Sequence, residues 1–215
     1  MENAVKPTPI VVATRNRGKV AEIEALLKPF PVIVKNLSQF GPIPSVVEDG
    51  DTFEENAYKK ASQVARVLGL PALADDSGLC VDALNGRPGV HSARFGGSTL
   101  SDRERALLLL REMKGKTNRK AKFFCVISLA VPAGPALTYE AHCEGRIAEV
   151  PAGENGFGYD PIFYYPPLSK TFAQISRSEK AHVSHRGKAL AELLGEFDKV
   201  LKWIEIQMPA LGGHP

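Results

Sequence analysis

This chain has little of several things that would announce a function. Cysteine occurs three times in 215 residues, at Cys80, Cys125 and Cys143, each in an apolar or alternating run and with no C-x-x-C pair. That odd number reads as buried thiols in a reducing compartment. No apolar run approaches the ~20 residues of a membrane span. The N-terminus, Met1-Glu-Asn-Ala-Val-Lys6, lacks the hydrophobic region of a signal peptide, so the expected location is the cytoplasm. No glycine stands five residues before a Gly-Lys-Ser/Thr, and no G-x-G-x-x-G follows a strand, which excludes the two familiar phosphate loops. Excess charge is scarce as well. The net +3 suits a ligand with several negative charges and is too small to imply nucleic acid.

What is present suffices for one globular unit, with 44% hydrophobic and 24% charged residues over a length that buries a core without staples. Residues 1–8 read as an arm, 9–206 as a single domain and 207–215 as a tail. Ile10 to Ala13 is a short continuous apolar run, hence a buried strand. It leads at once into Thr14-Arg-Asn-Arg-Gly-Lys19 and a helix carrying Val20, Ile23, Leu26 and Leu27, stopped by Pro29. A loop between a strand and a helix N-terminus offers amides and a favourable dipole to anions. The same spacing also describes a capped βα turn and nothing more.

Val32 to Val34 is a second strand, and Pro42, Pro44 and Gly50 mark a loop holding Glu48-Asp-Gly-Asp51. Thr52 and Glu55 then form a capping-box pattern before a helix whose stripe is Phe53, Ala57, Ala61, Val64 and Leu68. Lys60 lies on the edge of that stripe, as either a cleft residue or a snorkelling lysine. Ser101 and Glu104 make a second capping box. The basic residues from Lys114 to Lys122 have no aromatic among them and read as a solvated turn. Phe123 to Val131 and the alternating Leu137 to Cys143 form a hairpin with one wet face, turned at Pro132 to Pro135. The last helix carries Leu190, Leu193, Leu194, Phe197, Leu201 and Ile204 on one stripe, with Ser184 able to cap it. His185 and Arg186 occupy its first turn, a poor place for cations by the dipole rule, which suggests that they face an acceptor. This mixture of βα units and a hairpin predicts an α/β fold with a mixed sheet and flanking helices.

The most unusual stretch lies in the middle. Ala72-Leu-Ala meets Asp75-Asp76-Ser77-Gly78, so two adjacent carboxylates end a short buried strand. Like charges there disfavour each other's ionised form and call for a cation, although Asp, Ser and Gly also make an ordinary turn. Farther on, Gly153 to Pro161 combines glycines with Phe157, Tyr159 and Asp160. That composition suits stacking of a flat ring with an acid at its edge, and it equally suits a plain loop.

Six blocks occur in order: Thr14-x-Asn16-x-x-Lys19; Glu48-Asp-Gly-x-Thr-Phe-x-Glu-Asn-Ala-x-x-Lys-Ala61; Ala74-Asp-Asp-Ser-Gly-Leu79; Pro88-Gly-Val-x-Ser-Ala-Arg94; Gly156-Phe-Gly-Tyr-Asp-Pro161; and Ser184-His-Arg-Gly187. Together they closely resemble the bacterial branch of the inosine triphosphate pyrophosphatase family, the Ham1-like or RdgB-like noncanonical purine NTP pyrophosphatases. The resemblance runs from about Ile10 to the last helix; Asn85 stands before Gly86 where that family commonly has a glycine pair.

The resemblance implies an elongated mixed sheet flanked by helices, with two lobes and the nucleotide cleft between them. It implies a homodimeric, Mg²⁺-dependent enzyme that hydrolyses ITP, dITP, XTP and dXTP to the monophosphate and pyrophosphate. The partners expected are that nucleotide and a second copy of the chain, with no nucleic acid and no membrane. By the same resemblance Thr14, Arg15, Asn16, Arg17, Gly18 and Lys19 hold phosphates, Lys60 helps neutralise them, and Ser77 contacts the substrate. Glu48 and Asp76 hold the metal, and Asp76 accepts the proton of the attacking water. Phe157, Gly158, Tyr159, Asp160, Lys180, His185 and Arg186 take the base and sugar end. Two rivals are a nucleotide- or RNA-binding module built on Phe157, and a Maf-like pyrophosphatase for pyrimidine or modified nucleotides. The first leaves Glu48, Asp75 and Asp76 unexplained, because acids in a phosphate site without metal repel the ligand.

Overall fold

The structure is a computed structural model that describes residues 7–208. The proposed arm and tail fall largely outside the described residues. At their inner ends, Thr8 opens the first strand and Gln207 closes the last helix. The strands are β1 (Thr8–Val12), β2 (Val32–Asn36), β3 (Ala72–Val81), β4 (Lys120–Ala130), β5 (Ala136–Ile147), β6 (Phe163–Tyr165) and β7 (Lys170–Thr171). The helices are α1 (Arg17–Leu27), α2 (Phe53–Leu68), α3 (Asp102–Glu112), α4 (Arg177–Val183), α5 (His185–Gly195) and α6 (Phe197–Gln207). All seven strands join one mixed sheet in the order β2-β1-β3-β4-β5-β6-β7. The fold is therefore the α/β class that the element pattern predicts.

The residues group into two compact units. One comprises the described residues up to Asp76, Val126–Tyr139 and the described residues from Ala189 on, and the other comprises Ser77–Cys125 and Glu140–Lys188. In the first, β1 runs parallel to β2 (Ile10 opposite Val34) and to β3 (Val11 opposite Ala72). Ile10, Val11 and Val12 are fully buried, as a strand covered on both faces requires. Helix α2 lays Ala61, Val64 and Ala65 against Val11, Ala13, Ala72 and Ala74. The small side chains on both surfaces let the helix approach the sheet closely, and that closeness carries Lys60 inward. Thr52 caps α2, its Oγ1 accepting from the Glu55 amide at 3.1 Å. The Glu55 carboxylate accepts from the Asp51 amide at 2.8 Å instead of from Thr52, so the expected box closes one residue early. Gly69, at φ +64°, ends the helix in the left-handed region.

The single last helix expected from the apolar stripe is two. It breaks at Glu196 (φ −125°, ψ 23°), directly after Gly195. Leu190, Leu193, Phe197, Val200 and Ile204 stay buried at 3-4-3-4 spacing across the break, so the stripe alone does not reveal it.

In the second unit the core is built on Leu79, Val81, Phe123, Cys143, Ile147, Phe163 and Phe172, with Leu109 and Met113 of α3. Burying each of Phe163 and Phe172 fully contributes roughly 1.5–3 kcal/mol. Along β5, Cys143, Gly145 and Ile147 are buried while Glu144 and Arg146 are exposed, which is the wet face expected from the alternation. Arg119 belongs to the basic run yet is half-buried, its guanidinium donating to the Ile147 and Ala148 carbonyls at 2.6 and 2.7 Å.

Helix α4 meets α5 closely at Gly187. A β-carbon there would overlap the Ala181 carbonyl, a backbone group that cannot swing aside. Gly187→Ala is therefore expected to destabilise the protein by roughly 3 kcal/mol, toward the upper end of overpacking costs. Urea titration measures it, and an unchanged midpoint would refute the close approach.

Candidate active site

Strand periodicity separates the two adjacent acids. Successive side chains of β3 point to opposite faces, and Ala72 and Ala74 face α2. Asp76 continues that face and meets Lys60, whose Nζ donates to its Oδ1 at 2.7 Å. Asp75 points the other way, where Lys19 Nζ lies 3.0 Å from its Oδ2. Lys60 also stands 3.6 Å from Glu48 Oε2, so one ammonium serves two carboxylates. Its side chain is only 10% exposed, which rules out the snorkelling alternative.

Burial would lower the Lys60 pKa most strongly, but the charges of Asp76, Asp75 and Glu48 and the hydrogen bond it donates to Asp76 together raise it above the ordinary lysine value. Burial likewise raises the Asp76 pKa above the ordinary carboxylate value, outweighing the pull of Lys60. The loop that presents Glu48 is tied down by Asn56, fully buried one turn before Lys60. Its Oδ1 accepts from the Gly50 amide at 2.9 Å and its Nδ2 donates to the Gly50 carbonyl at 3.3 Å.

A divalent cation fits this corner. Asp76 Oδ2 is buried with no hydrogen-bond partner among the described residues, and the partly exposed Glu48 carboxylate shares the Lys60 ammonium. No group of three or more His, Cys, Asp or Glu side chains able to hold a metal occurs among the described residues. Two carboxylates match Mg²⁺, which keeps several waters and fills its remaining positions from substrate phosphates.

The Thr14–Lys19 loop is a capped turn in its own right. Asn16 Oδ1 accepts from the Gly18 and Lys19 amides at 2.9 and 3.1 Å, and Thr14 Oγ1 accepts from the Asn16 amide at 3.2 Å. The first amides of α1 thus already have an acceptor, and the side chain of Lys19 is the part of this loop that reaches the acids. Arg15 and Arg17 are exposed and, with Thr14, line a cavity of about 650 Å³ that also includes Phe40 and Ile43.

The second unit gathers the remaining candidates. Ser77 Oγ accepts from Arg186 Nη2 at 3.2 Å, the acceptor that the helix position of Arg186 called for. Its neighbour His185 is buried and stacks on Phe123, with ring centroids 4.6 Å apart and planes 14° from parallel. Phe157 is half-buried, with Lys180 Nζ 4.6 Å and Arg186 Cζ 5.6 Å from its ring centroid. Tyr159 and Asp160 turn inward. The Tyr159 hydroxyl donates to the Ser92 carbonyl at 2.9 Å, while Asp160 Oδ2 accepts from Lys180 Nζ at 2.6 Å and from the Phe157 amide at 2.9 Å. Those two residues shape the loop and leave Phe157 at its surface.

A model of the Ham1 family matches residues 10–196. The chain belongs to the Ham1 family. A dITP/XTP pyrophosphatase of Syntrophobacter fumaroxidans is 62% identical over 204 residues, covering 95% of this chain and 86% of that protein. Another, from Desulfotalea psychrophila, is 54% identical over 196 residues, covering 91% and 88%. Among solved structures, a Ham1 protein from Coxiella burnetii superposes with a TM-score of 0.83 at 42% identity, covering 89% of this chain and 99% of that one. The mixed sheet is thus the Ham1 fold, and both clusters lie within the span matched by the Ham1 model.

Sequence reasoning missed Asn56, Ser92 and Asp102 as supports. Asn56 stood in a family block but carried no chemical signal, and Asp102 was hidden inside the Ser101–Glu104 capping box. No described helix is long and apolar enough to cross a membrane.

Proposed function

We propose that this protein hydrolyses noncanonical purine nucleoside triphosphates, ITP, dITP, XTP and dXTP, to the nucleoside monophosphate and pyrophosphate, cleansing the nucleotide pool. The observation that carries this reading is Lys60 held between Asp76 and Glu48 beside an unpartnered, buried Asp76 oxygen. The names of its relatives support the substrate class.

In this reading Lys19 and Lys60 neutralise the polyphosphate, with Thr14 to Gly18 supporting it, and Ser77 contacts the substrate. Asp76 and Glu48 hold Mg²⁺, which when bound supplies positive charge to the phosphate oxygens and the pyrophosphate leaving group. Asp76 accepts the proton of the attacking water. Its burial strengthens it as a base, while Lys60 favours its ionised form. Phe157 stacks on the base, with Gly158, Tyr159, Asp160 and Lys180 setting its place. His185 or Arg186 donates to the 6-keto group of hypoxanthine or xanthine. Adenine presents an amino group there, and a donor facing a donor is strongly rejected. A homodimer acting in the cytoplasm belongs to the same reading, and the three cysteines without a disulfide suit a reducing compartment.

The test is product release from ITP, XTP, GTP, ATP and dUTP with Mg²⁺. Monophosphate plus pyrophosphate, with ITP and XTP preferred, is the expected outcome. Orthophosphate release, or equal rates with ATP and GTP, would sink the proposal, and a dUTP preference would favour the Maf-like rival. Phe157→Ala should raise KM roughly tenfold with kcat little changed, since base stacking contributes about 1–3 kcal/mol and is the same in ground and transition state. An unchanged KM would remove Phe157 as the platform.

A further inference from the structure

Asp102 is the first residue of α3, and its two carboxylate oxygens have different partners. Oδ1 accepts from Arg105 Nη1 at 3.2 Å, and Oδ2 accepts from the Gly158 amide at 2.8 Å. Arg105 is itself buried and anchored, its Nη2 donating to the Leu100 carbonyl at 2.9 Å. A carboxylate steered by an immobile guanidinium holds its second oxygen in a defined place. The amide it captures belongs to the residue after Phe157.

The loop is thereby gripped at two consecutive amides. Asp160 takes the Phe157 amide from inside, and Asp102 takes the Gly158 amide from outside. Gly158 needs the outer grip. Its φ is +62° and nothing lies within 4 Å of where a β-carbon would stand, so no packing constrains this side of the turn. We infer that Asp102, steered by Arg105, is a positioning residue that fixes the Phe157–Gly158 turn and so sets how well the ring meets the substrate base. This rests on the reading of Phe157 as the base platform.

The expected result is a KM for ITP raised about fivefold in Asp102→Ala, with kcat within about twofold of the parent. Asp102→Asn, which keeps a side-chain oxygen to accept from Gly158, should remain within about twofold of the parent KM. A purely structural role would shift the melting temperature without this split or this rescue. Exchange of the Gly158 amide with solvent, followed by NMR, should be faster in Asp102→Ala and near the parent rate in Asp102→Asn. Phe157→Ala, measured alongside, separates two failures. If it raises KM while Asp102→Ala leaves KM and Gly158 exchange unchanged, or while Asp102→Asn falls as far as the alanine variant, the positioning role is wrong and the platform stands. If Phe157→Ala leaves KM unchanged, the platform is wrong and the inference falls with it.

Discussion

Asp76→Asn is expected to lower kcat by roughly 1,000-fold while ITP binding, measured without turnover, stays within about threefold of the parent. General-base catalysis alone is commonly worth 10²–10⁴-fold. Asn keeps the shape and one oxygen, so Lys60 retains an acceptor close to its present 2.7 Å contact. What disappears is the negative charge and the basic lone pair at the buried oxygen. Because the lost interaction develops with proton transfer, kcat and kcat/KM should fall together. A variant retaining more than a tenth of the parental kcat would remove Asp76 as the proton acceptor. One whose ITP affinity collapsed in step with turnover would make it a binding residue.

Lys60→Met should lower kcat/KM by roughly 100- to 1,000-fold, the range for removing one preorganised charge at a reacting centre. Methionine fills nearly the same volume as lysine, so the packing of α2 is kept. The pH dependence supplies a second readout. Burial raises the Asp76 pKa, and Lys60 opposes that rise by its charge and its hydrogen bond. Without the ammonium only the more weakly acting charge of Lys19 still opposes it, and the Asp76 pKa climbs. Only the ionised carboxylate accepts a proton, so the acid limb of kcat/KM against pH should move to higher pH. An acid limb that stays in place, or moves to lower pH, would mean that Lys60 does not govern the ionisation of Asp76.

Much of the molecule was legible in the sequence because its signals are local. The apolar run at Ile10–Ala13, the Thr52 and Ser101 caps, Gly69 and the Pro132–Pro135 turn each act within a few residues, and each marks an element boundary in the structure to within a few residues. The helix break at Glu196 leaves no such mark, because the buried stripe keeps its spacing through it. Among the site candidates, the sequence singled out the acid pair and Lys60 but left each with a bland alternative, a turn in one case and a snorkelling side chain in the other.

Residue pattern alone is enough for the α/β class, most helix and strand limits, the Ham1 resemblance and the candidate residues of the proposed phosphate site. Tertiary structure decided how those residues are paired. Lys60 and Asp76 lie 16 positions apart, and Asp102 and Gly158 lie 56 apart. No periodicity or motif connects such positions, because which helix covers which face of a strand is settled only when the sheet assembles. Once α2 packs on the face of β3 that carries Ala72 and Ala74, the strand's two-residue period sends Asp76 to Lys60 and turns Asp75 toward Lys19.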